Sequence, residues 1–128
     1  MDIQGIPEFP VFKILLRVII MSIPKPGKPV RGSKSGAPIM ALFDLLGRRW
    51  AMGIVWQLSD GPQPFNALQK RCDSISPTIL SARIKDLSDA ALIERTLEGY
   101  RLTQLGGELF KILEPFKEWS QKWTKTIK

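Results

Sequence analysis

Histidine is absent from this 128-residue chain, and cysteine occurs once, at Cys72. Without histidine, no Ser-His-Asp or Cys-His nucleophile system can be assembled. No Cys/His zinc site of ordinary ligand spacing is available either. A lone cysteine excludes a disulfide within the chain and fits a reducing cytoplasm, the expected location. Glycines spaced as a phosphate loop do not occur. The apolar run at residues 11–23 is interrupted by Lys13 and Arg17, and it falls short of the roughly 20 apolar residues a membrane-spanning helix needs. The expectation is a protein that is not an enzyme, holds no metal or cofactor and does not have a membrane as partner. Acidic residues are scarce too: 12 Asp+Glu face 19 Lys+Arg, for a net charge of +7. That imbalance makes a polyanion the first partner to consider.

What is present divides near residue 37. Residues 1–36 hold six cations against Asp2 and Glu8, so more than half of the excess charge lies in the first third. Within it, residues 24–36 contain three prolines, three glycines, four cations and only Val30 as an apolar side chain besides proline. Such a segment buries too little to offset its ordering entropy and is expected to be a flexible basic arm. Three readings of residues 11–23 stay open: a helix packing on the body or a partner, an amphipathic membrane-surface segment, or an extension upstream of a start at Met21. The expected organisation is an N-terminal extension over 1–36 and one domain over 37–128.

The second part reads as helices and one hairpin. Pro38 opens a helix that ends at Gly47, with residues 39, 42, 43 and 46 as its apolar face. A second helix is expected from about Trp50 to Ser59, stopped by Asp60-Gly61-Pro62. A short third helix runs from Pro64 to about Cys72, with Phe65 and Leu68 inward. Ser76 as N-cap and Pro77 as first residue start a fourth, with Leu80, Ile84 and Leu87 on one face. Residues 92–96 and 100–103 flank Leu97-Glu98-Gly99, a hairpin with a three-residue turn. Thr103 caps the last helix, which Pro115 should kink or divide. Mainly α with a small β-hairpin wing is the layout of a winged helix-turn-helix, with the helix from Ser76 as recognition helix.

The sequence resembles the HxlR-type winged-helix transcription regulators, relatives of the MarR type. The resemblance rests on Leu46-Gly47-Arg48-Arg49-Trp50, Leu58 and Gly61, Phe65-Asn66-Ala67-Leu68, Ile75-Ser76 with Leu80, Ile84-Lys85 and Leu87, Leu92-Ile93 with Arg95, and Tyr100-Arg101-Leu102-Thr103 with Gly106. It covers residues 37–123. It implies a dimer that binds double-stranded DNA, with Trp50 and Phe65 as core anchors and the terminal helix serving dimerisation. Three positions depart from the family pattern. Ala37 and its neighbours stand where many members carry a cysteine. Pro64 replaces an arginine, and the wing is shorter and has no cation at its tip.

Thr78, Ser81, Ala82 and Lys85 follow i, i+3, i+4, i+7 and share one side of the recognition helix. Serine and threonine can bond base edges or phosphates, and Lys85 can reach guanine or phosphate. Ser76, Arg83 and Arg101 complete the expected DNA-contacting set. Cys72, beside Asp73 at a helix C-terminus, is expected to be buried and inert rather than a sensor. Phe116, Trp119 and Trp123 on the terminal stripe, with Trp56 off its own helix stripe, are the expected homodimer interface. No effector is legible. The competing reading is a winged-helix module that binds protein without specific DNA binding.

Overall fold

The computed structural model describes residues 22–128. Residues 11–21 of the apolar run 11–23 therefore lie outside the described residues. Helix α1 spans Pro38–Leu46, α2 Ala51–Gln57, α3 Phe65–Arg71 and α4 Pro77–Asp89. Strands β1 (Ile93–Thr96) and β2 (Gly99–Leu102) follow, then α5 (Gln104–Leu113) and α6 (Phe116–Ile127). No described helix is long and apolar enough to cross a membrane.

Local chemistry explains most of these boundaries. The Ser76 hydroxyl accepts from the Ile79 N–H at 3.2 Å, and Pro77 occupies the first turn of α4, where no N–H partner is needed. Ala91 closes α4 in the left-handed region at φ 63°, with Leu92 N–H bonding to the Leu87 carbonyl and Ala91 N–H to that of Ser88. That pair of bonds satisfies carbonyls the helix would leave orphaned. Thr103 caps α5 by accepting from Gly106 N–H at 3.0 Å. Pro115 divides the terminal stripe into two helices, one of the two outcomes the sequence left open.

Ile54, Leu68, Leu80, Leu87, Val55 and Cys72 form the fully buried centre, drawn from α2, α3 and α4. Leu92 and Ile93 seal it from the hairpin, and Leu109 and Leu113 from α5. Trp50 precedes α2 rather than opening it, with φ 69°, and packs partly buried against this centre as Phe65 does.

Three expectations are corrected. Helix α1 buries Ala41, Leu45 and Leu46 and leaves Ile39 and Phe43 exposed, so of the expected face only Leu46 is buried. Asp44 is the sole charged residue of α1, so an apolar stripe could be drawn on either side. The hairpin loop has two residues, because Thr96 pairs with Gly99 and only Leu97 and Glu98 remain between the strands. Gly99 has a second constraint besides φ 121°: a Cβ there would collide with the Gln63–Pro64 backbone. Gln63 and Tyr100 exchange two backbone hydrogen bonds of 2.9 Å across that approach, a one-residue bridge that ties the two-stranded wing to the segment before α3. Finally, residues 22–36 lie against the body. Ile23 packs on the core, Gly27 N–H bonds to the Gly36 carbonyl at 2.8 Å, and Val30 and Ser33 pair. Arg31 N–H bonds to Asp44 at 3.2 Å, and Arg48 donates to the Ser22 carbonyl at 2.9 Å. Short-range turns and two cations supply the order that the segment's composition does not.

Candidate nucleic-acid interface

Helices α3 and α4 meet through a turn in which Asp73 and Ser74 both adopt the left-handed region, at φ 56° and 54°. Asparagine and aspartate tolerate that region better than most residues. The Gln69 amide fastens the turn by donating to the Ile75 carbonyl at 2.8 Å. Ile75, Leu80, Ile84 and Leu87 then hold α4 inward, and its opposite side faces out.

On that outer side Thr78, Ser81 and Lys85 are exposed and Ala82 is half-buried. Four of the expected residues thus share one surface. Ser76 sits at its N-terminal end, with its hydroxyl engaged in the cap. Lys85 donates to Asp89 at 2.9 Å. That hydrogen bond, reinforced by the Asp89 charge, pushes the Lys85 ammonium up from its ordinary value, so it is charged at neutral pH. An exposed pair of this kind is weak and yields readily to a phosphate.

Arg83 is placed differently. It lies on the flank of α4 and bonds Asp86, which Arg48 also meets at 3.1 Å. Asp86 is buried, and this triad joins the turn after α1 to α4. A buried carboxylate is tolerable only with such partners. The Arg83 Nε is itself buried and has no hydrogen-bond partner among the described residues. On the wing, Arg101 pairs across the strands with Glu94 at 2.8 Å. Arg95 lies on the other face of the hairpin, its guanidinium 5.9 Å from the centre of the Tyr100 ring.

Beside α4 the structure opens a cleft of about 770 Å³. Arg48 and Arg49 border it together with Lys25, Lys28 and Arg31 from the N-terminal segment. The Arg48-Arg49 pair is visible in the sequence, but its neighbourhood with α4 depends on contacts across dozens of residues. The cysteine is fully buried, and burial first, then the Asp73 charge, pushes its thiol above the ordinary range.

The other expected surface lies at the C-terminus. Helix α6 has no buried residue, and Phe116, Trp119, Trp123 and Ile127 are all at least half exposed. The Trp119 and Trp123 rings stack at 6.4 Å, 9° from parallel. Trp56 is half-buried and meets Phe110 edge-on at 5.3 Å within the chain.

A helix-turn-helix closed by a two-stranded wing defines a winged helix-turn-helix protein. Residues 45–128 match the model of the HxlR-like helix-turn-helix family, and the chain belongs to that family of transcriptional regulators. An uncharacterised HTH-type transcriptional regulator of Methanocaldococcus jannaschii is 28% identical over 88 residues, 66% of this chain and 83% of the relative. The crystal structure of quinone-bound YodB from Bacillus subtilis is similar with a TM-score of 0.61 and 31% identity, over 66% of this chain and 96% of that one. A possible HxlR family transcriptional factor from Thermoplasma volcanium reaches 0.62 and 34%, over 69% and 85%.

Proposed function

We propose that the protein is a cytoplasmic, sequence-specific DNA-binding regulator that acts as a homodimer. The observation that carries this reading is the outward row of Thr78, Ser81 and Lys85 on a helix anchored by its opposite face. That row has the donors and acceptors a major groove reads, and the positive end of the helix dipole favours a nearby phosphate. Arg101 on the wing and Ser76 at the cap supply backbone contacts, and the +7 charge supplies non-specific attraction. Arg83 acts one step back, by holding Asp86 and hence the α4 flank.

Twofold pairing is supported by the exposed stripe Phe116, Trp119 and Trp123, together with Ile39 and Phe43 on α1. Exposed aromatic patches of this kind ordinarily mark an interface. A self-complementary patch closes under a twofold axis, which would set two recognition helices about 34–36 Å apart on one face of DNA. Selection from a random duplex pool, followed by salt titration, tests the reading. With about six phosphates contacted per dimer, log K should fall against log salt with a slope near −5. Absence of binding at low salt would refute it. The short wing, with only Leu97 and Glu98 at its tip, and Pro64 in place of a cation favour the second reading, a protein-binding module, and that reading requires no enriched sequence in the selection.

A further inference from the structure

We propose that the cleft between the N-terminal segment, the turn after α1 and the flank of α4 is a binding site for a phosphate-class oxyanion. Six cations line it, Lys25, Lys28, Arg31, Arg48, Arg49 and Arg83, against two carboxylates. Both carboxylates are already committed. Asp44 holds the backbone and guanidinium of Arg31, and Asp86 holds Arg48 and Arg83. Lys25, Lys28 and Arg49 have no ion-pair partner among the described residues. The Arg83 Nε is in addition a buried donor that no group of the described chain satisfies.

A volume near 770 Å³ suits a small ligand rather than a single trapped water. Apolar side chains of Ile23, Pro24, Pro29 and Val30 share the lining with the cations, and a low-dielectric wall beside clustered like charges concentrates their field. Guanidinium groups match the oxygens of phosphate two at a time, and lysines add charge without fixed geometry. The Gly27–Gly36 hydrogen bond shapes the segment that carries Lys25 and Lys28, and the Arg31–Asp44 bond fastens its backbone to α1 beside the cleft. Ala82, half-buried on the outward side of α4, lies on the cleft lining. The same chemistry can therefore come from a free phosphorylated molecule or from the backbone of DNA bound along α4.

The experiment has two arms. In the first, the full chain without DNA is titrated calorimetrically with inorganic pyrophosphate at low salt. One saturable site per chain is expected. Arg49→Gln and Lys28→Gln lie outside the Asp86 ion pair and should each weaken it by about tenfold, the scale of one charge-assisted hydrogen bond. Lys111→Gln, an exposed cation on α5, should leave affinity unchanged. In the second arm the same variants are titrated with duplex DNA. If the backbone is the source, pyrophosphate does not bind, and each cleft variant lowers the salt slope by about 0.9. A cleft whose variants alter neither titration, or alter them no more than Lys111→Gln does, is not an oxyanion site. Only the second arm rests on the DNA reading, so failure of that reading leaves the first decisive.

Discussion

Helices α4 and α6 are nearly equal in length, 13 and 12 residues, and both carry apolar side chains at helical spacing. Their fates are opposite. Helix α4 buries Leu80, Ile84 and Leu87 and even a carboxylate, Asp86. Helix α6 buries nothing, although its stripe contains two tryptophans and a phenylalanine. Helices gain most of their stability from packing rather than propensity. The apolar face of α4 is satisfied inside the chain, which frees its polar side to meet a ligand. The apolar face of α6 is left uncovered among the described residues.

The largest expected difference between them is thermodynamic. Leu80→Ala should lower unfolding free energy by about 2–5 kcal/mol, because a fully buried leucine leaves a cavity on truncation. Urea denaturation reads this as a shifted midpoint with an unchanged slope. Asp86→Ala should cost about 3–5 kcal/mol, since it strands Arg48 and Arg83, whose side chains are only 18% and 20% exposed. A loss under 1 kcal/mol in either case would remove the contrast.

Trp119→Asp acts on the other helix. The variant should remain folded by circular dichroism and sediment as a monomer, with DNA affinity lowered at least tenfold as two half-sites cease to act together. A wild type that is monomeric at micromolar concentration would refute the paired α6. Lys85→Ala should shift the preferred sequence by roughly tenfold at one position, whereas Arg101→Ala should weaken all sequences alike. The smallest effect concerns Cys72. Iodoacetamide should label it at the rate of global unfolding, since the thiol is buried and held protonated. Rapid labelling of the native protein would show that the α3 end opens.

Sequence made some of this visible and not the rest, for reasons that can be named. Ser76-Pro77 and Thr103 announce helix starts because capping is chemistry within four residues. Leu80, Ile84 and Leu87 announce a buried face because the positions between them are polar apart from the small Ala82. On α1, by contrast, apolar residues nearly encircle the helix, so periodicity could not select between the two sides. Arg83 looked like its neighbour Lys85 until Asp86, bridged from Arg48 far back in the chain, turned it aside. The N-terminal segment looked like a free arm by composition, and its attachment through Ile23, Arg31 and Arg48 is likewise long-range.

The Gln63–Tyr100 bridge has a mechanical consequence. Gln63 lies just before Pro64, the residue that caps α3, and Tyr100 lies on the return strand of the wing. Two backbone bonds of 2.9 Å join them, at the spot where Gly99 lets the Gln63–Pro64 backbone come close to the wing. Force applied to the wing tip at Leu97 and Glu98 is therefore delivered to the start of α3 and not absorbed in a hinge. The two elements behave as the jaws of a fixed gauge: their separation is set at folding. Widening that gap requires breaking the bridge, so a Gly99→Ala protein, in which the new methyl group forces the Gln63–Pro64 backbone away from the wing, should show faster amide exchange at Tyr100 and Gln63 together.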